Sequence, residues 1–109
     1  MSVASDLRTI LLTLGYPVAQ DNYTGTATTY ITFNYTTNPE CFAGDEPSAE
    51  VYLLQVHLIA PSTLNTTTLQ KTIKDLLMAN GYPYPKTYPA SDDPSEQHIV
   101  FETETDVGI

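Results

Sequence analysis

Glu50-Val51-Tyr52-Leu53-Leu54-Gln55-Val56-His57-Leu58-Ile59-Ala60 is the most apolar strand candidate in the chain, and its alternation decides the fold class. Tyr52, Leu54, Val56 and Leu58 fall on one face of a period-two strand, with Val51, Leu53, Gln55, His57 and Ile59 on the other. The second face is mixed. That predicts cover on both sides for part of the strand, supplied by a helix or by a partner chain. Pro61-Ser62 ends it.

Working upstream, Thr29 to Thr37 has the same period, with Ile31, Phe33 and Tyr35 on one face and Thr32, Asn34 and Thr36 on the other. Between the two strands, residues 38–48 read as a proline-bounded loop that carries Cys41 and Phe42 and ends in Asp45-Glu46. Near the N-terminus Val3, Leu7, Ile10, Leu11 and Leu14 make a helical stripe, with Ser2 or Ser5 as cap, Gly15 as terminator and Pro17 as stop. Downstream, Leu69, Ile73, Leu76 and Leu77 mark a second helix, capped by Asn65 or Thr66 and ended by Gly81 and Pro83. Lys71 and Asp75 are spaced to pair on its wet side.

Residues 82–96 carry Pro83, Pro85, Pro89 and Pro94 with Tyr82, Tyr84 and Tyr88, which reads as a stiff extended loop. A last strand runs from about Gln97 to Thr105, with Ile99 and Phe101 on one face and His98, Val100 and Glu102 on the other. Residues 105–109 read as a frayed acidic tail. The whole chain, 1–109, is expected to form one α+β domain. Its sheet is small and mostly antiparallel, of three to four strands, with two helices packed on one face. Both helices end in Leu-rich turns followed by Gly-Tyr-Pro (Gly15-Tyr16-Pro17 and Gly81-Tyr82-Pro83). That echo has two readings, a duplicated unit or capping physics alone, and the second is favoured.

Composition narrows the function. Hydrophobic residues make up 41% and charged ones 16% of the 109, too apolar for a disordered chain. The 13 carboxylates against four cations (Arg8, Lys71, Lys74 and Lys86) leave a net charge of −9. Such a surface repels phosphate backbones and anionic membranes, so direct nucleic-acid or membrane binding is not expected. The Ile10-Leu11-Leu12 run is too short and broken for a signal peptide or a membrane span. A lone Cys41 rules out an internal disulfide scaffold. Asn22, Asn34 and Asn65 begin Asn-x-Thr triplets, read here as chance in a Thr-rich chain.

Chemistry-bearing patterns are sparse. His57, His98 and Cys41 are far apart in sequence and lack metal-ligand spacing, although His57, His98 and Glu102 would share an outer sheet face if their strands were neighbours. Acidic neighbours raise the Cys41 thiol pKa and blunt its reactivity. Asp45, Glu46, Asp92, Asp93 and Glu96 sit in loops flanked by prolines, unlike a paired-acid pocket or a calcium loop. The expectation is therefore no catalytic residue, no metal and no cofactor. The eight tyrosines point instead to contact surface, with the loop ones at Tyr82, Tyr84 and Tyr88 either interfacial or folded back as a satellite core.

In its order of elements the chain resembles the tail-completion, or tail-terminator, proteins of long-tailed bacteriophages. The likeness lies in the helix ending Gly15-Tyr16-Pro17, the strand Thr29–Tyr35, the acidic loop ending Asp45-Glu46, the strand Tyr52–Leu58 and the helix from Leu69 to Asn80. Many members carry an acid where this chain has His57, so no role transfers to that position. The resemblance implies a structural virion component at the head–tail interface. Such proteins form a ring, typically hexameric, that ends the tail tube and joins it to the head connector. It also implies contacts with itself, with tail-tube protein and with the head connector or head-closure protein. Phe42, Asp45, Glu46, Leu53, Gln55, His57, Tyr82, Tyr84, Tyr88, Asp92 and Asp93 are the candidate contact residues. The alternatives are a head-closure or minor tail component, a small enzyme using the His57/His98/Glu102 face, or a regulatory binding module.

Overall fold

The computed structural model describes residues 3–41 and 47–108. Two helices, α1 (Val3–Leu12) and α2 (Thr67–Ala79), accompany a sheet of five strands: β1 (Val18–Gln20), β2 (Tyr30–Cys41), β3 (Pro47–Pro61), β4 (Lys86–Pro89) and β5 (Glu96–Gly108). The order across the sheet is β1-β2-β3-β5-β4. The β2–β3, β3–β5 and β4–β5 pairs are antiparallel, and β1 lies parallel to β2. The fold is α+β and mostly antiparallel, as the alternation predicts.

One hydrophobic layer joins helices to sheet. Leu7 and Leu11 of α1 and Ile73 and Leu77 of α2 close over Ile31, Phe33, Leu54, Val56, Leu58 and Phe101, all buried. The register sets Ile31 beside Leu58 and Phe33 beside Val56, which in turn faces Phe101, so these strand residues share a face. Both helices end in a left-handed glycine, Gly15 at φ 86° and Gly81 at φ 93°. The Asn65 carboxamide oxygen accepts from the Thr67 N–H at the start of α2, and Lys71 pairs with Asp75 at 2.9 Å.

The structure extends the strands beyond their expected limits. The loop expected over 38–48 contracts, because β2 runs through Pro39 to Cys41 while β3 starts at Pro47. Asn, Pro and Glu are poor strand formers, but the ladder between residues 38–41 and 47–51 outweighs that preference. The loop expected over 82–96 contains β4, an edge strand with prolines at and just before its ends, where missing N–H groups cost no ladder bond. The tail expected to fray from 105 continues β5 to Gly108 against the start of β3. The extra β1 is three residues long, too short to carry a period.

The Gly-Tyr-Pro echo also resolves. Tyr16 and Tyr82 both pack on the core, and an edge strand follows each. However, β1 joins its neighbour in parallel and β4 in antiparallel fashion. A duplicated unit would keep one direction, which leaves capping as the cause.

The molecule measures 53 × 27 × 25 Å with a radius of gyration of 15.2 Å, against about 13 Å for a compact chain of this length. The long dimension comes from an arm. Tyr35 and Tyr52, rings 5.4 Å apart, are among the described residues the outermost ones of β2 and β3 that pack on the core. Past them β2, β3 and β5 continue together.

Candidate functional site

The sheet face opposite the helices carries the polar side chains that alternation sends outward. Two rungs cross it from β2 to β4. One holds Thr32, His57, Val100 and Tyr88, and the next holds Asn34, Gln55, Glu102 and Lys86. His98 lies diagonal to His57, one rung away beside Ile59. The strands are neighbours, so His57, His98 and Glu102 do share a face.

These side chains form one directed chain of hydrogen bonds. The Asn34 Oδ1 lies 2.8 Å from His57 Nε2. An amide oxygen only accepts, so Nε2 carries the proton and neutral His57 presents Nδ1 as a lone pair. That lone pair lies 2.7 Å from His98 Nε2, which must donate to it. On the other side the Asn34 amide donates to Gln55 Oε1 at 3.5 Å, and the Gln55 amide donates to Glu102 Oε2 at 3.2 Å. Every donor points towards the carboxylate. Tyr88 also bonds to Glu102 from β4, and its phenol pKa is raised, first by burial and then by the Glu102 charge.

Burial holds the His57 pKa below 6.5, and the adjacent His98 lowers it further, while Glu102 pulls the other way. Both ring nitrogens of His57 are engaged, so neutral His57 has no lone pair left for a substrate. Among the described residues no three His, Cys, Asp or Glu side chains converge as a metal set. Alongside the network lies an open concavity of about 590 Å³, whose lining includes Asn34, Leu53, Gln55, Tyr84, Glu102 and Glu104. Its walls mix apolar and polar groups.

The other expected contact residues are scattered. Leu53 is 39% and Tyr84 55% exposed, and Lys74 Nζ stands 5.7 Å above the Tyr84 ring. Tyr82 instead folds onto the core, so the loop tyrosines divide between surface and satellite core. Asp92 is exposed. The Asp93 carboxylate accepts from the Ser95 N–H and hydroxyl, which hold its pKa below 3.8 and make it a turn former. Phe42, Asp45 and Glu46 lie outside the described residues. Sequence reading did not single out Asn34 as a site residue. The signal was its position on the outer face of β2, legible only once the β2–β3 register is known.

No family model and no curated protein matches the chain. A solved structure superposes on it with a TM-score of 0.61 at 14% identity, covering 99% of this chain and 98% of that one. At that identity the likeness shows the fold alone.

Proposed function

We propose that this chain is a structural assembly protein of a long-tailed bacteriophage. In this reading it forms a ring at the head-proximal end of the tail tube, stops tube growth and receives the head connector. The observation that supports it is the arm. Three strands run past the last core-packed residues, and Thr36, Thr37, Leu53 and Glu104 at its base are exposed. Among the described residues no helix side chain packs past Tyr35 and Tyr52, and a small ribbon with exposed edges is suited to finding its cover in a neighbour. Net charge of −9 gives a ring of such subunits no attraction for passing DNA.

The test is native mass spectrometry and negative-stain microscopy of the purified chain, alone and mixed with tail-tube protein of the same phage. The expected result is a closed ring, free or seated on one tube end, together with tubes that stop growing. A chain that stays monomeric in both settings and leaves tube length unchanged would remove the reading.

A further inference from the structure

The arm leaves two sheet edges open at the same level. β1 pairs with β2 only from Ile31 to Phe33, and β4 pairs with β5 only from Ile99 to Glu102. Beyond those points β3 lies between β2 and β5, and among the described residues neither has a ladder partner on its outer side. Tyr35, Leu54 and Thr103 share one rung of the arm, and Thr36, Leu53 and Glu104 the next. Both edges therefore lose their ladder partner within one residue of the same height, and on β5 the Thr103 hydroxyl still donates to the Pro83 carbonyl at 2.7 Å.

The outward-pointing backbone groups follow from bonds already made lower on the same strands. The Ile31 N–H donates to the Pro17 carbonyl, and the Phe33 carbonyl accepts from the Asp21 N–H. Odd-numbered residues of β2 thus point away from β3, and alternation carries this to Tyr35 and Thr37. On β5 the His98 carbonyl accepts from the Ala90 N–H, so even-numbered residues point outward, Glu104 among them. Pro39, also odd-numbered, has no N–H and ends the row of outward donors after Thr37.

Direction decides what fits these edges. β2 and β5 are each antiparallel to β3, hence parallel to one another. Setting the β2 edge of one copy against the β5 edge of the next gives a parallel pair, and the same contact repeats at every junction. That is a heterologous contact, which closes into a ring when its rotation closes. Matching heights let the next copy dock with little slide along the strands, as a ring requires and a climbing helix does not. Pairing two β2 edges would instead stop at a dimer and leave both β5 edges open.

We propose that neighbouring copies of this chain join edge to edge through the arm, with Tyr35–Thr37 of one copy paired in parallel with Thr103–Thr105 of the next. The inference rests on the ring-forming reading and specifies its contact. Thr37→Pro and Glu104→Pro test it. Each removes an outward N–H and places a ring on the edge, while the ladder to β3, which uses the alternate residues, stays intact. Circular dichroism and thermal melting check the fold.

Where the unchanged chain assembles, each variant alone should stay monomeric. Their equimolar mixture should give dimers containing one of each, because one keeps its β5 edge and the other its β2 edge. Rings from both variants would overturn the edge contact while leaving the ring reading standing. Loss of assembly in Thr37→Pro alone would overturn it in favour of paired β2 edges. An unchanged chain that is monomeric with and without tube protein would remove both. Should a proline variant fail to fold, Thr36→Cys with Glu104→Cys in a Cys41→Ser background gives the same reading, because the proposed register sets these two side chains level and on one face. Links between positions 36 and 104 of different copies support the contact, and links only between two copies of position 36 overturn it.

Discussion

His57 is the residue whose surroundings make the sharpest demand on protonation. Its Nε2–H is committed to Asn34, and its Nδ1 accepts from His98. A proton added at Nδ1 forces His98 to give up its Nε2–H in the shared bond, which undoes the directed chain. Burial acts in the same direction and holds the folded pKa below 6.5. Above pH 6.5 both folded and unfolded His57 are neutral, and the shift has no effect on stability. As the pH falls through 6.5 the unfolded chain takes up a proton that the fold resists, so stability declines. It levels off once folded His57 also titrates. Denaturant midpoints measured from pH 8 to pH 5 should fall over that window, and His57→Gln should flatten the decline. Asp93 adds its own loss only below 3.8, where its bonds from Ser95 are undone, so the two effects occupy separate ranges.

At the scale of elements, the helix-facing rows of the strands carry more of the stability than the exposed positions at the base of the arm. Phe101 is fully buried between helices and sheet. Phe101→Ala should cost about 3–5 kcal/mol by urea denaturation. Leu53→Ala, at a 39% exposed position on the open face, should change stability by about 0.5 kcal/mol or less. Equal losses from the two would mean that the open face is packed in the free chain. The same division explains what the sequence discloses. Ile31, Phe33, Leu54, Val56, Leu58 and Phe101 are strictly alternating, and a buried row cannot slip by one residue without turning to solvent, so the core and its two helices are legible. Asn38, Pro39 and Glu40 are under no such constraint. Their strand state is imposed by pairing across the hairpin, and no local preference announces it. The His57–Asn34 bond is hidden for the same reason, since it depends on register between strands. His57 and His98 were open to view only as two outer-face residues awaiting adjacent strands.

At the scale of the whole molecule, charge opposes the assembly that the arm favours. Each copy carries −9, so bringing copies together is resisted by long-range repulsion, while the proposed contact is made by backbone groups that carry no net charge. Salt therefore separates the two contributions. Raising ionic strength from about 0.1 M to about 1 M shortens the screening length from roughly 10 Å to roughly 3 Å. The repulsion is removed, whereas backbone hydrogen bonds are little affected. Assembly should strengthen with salt, read as a falling midpoint concentration for oligomers in light scattering at successive sodium chloride concentrations. An interface held by ion pairs would behave in the opposite way, dissociating as its attractions are screened. Lys71 is already paired within its own helix to Asp75, Lys74 stands over Tyr84 and Arg8 over Phe33. With three of the four cations engaged inside the subunit, few remain to bridge copies, and the salt response is expected to follow the repulsion.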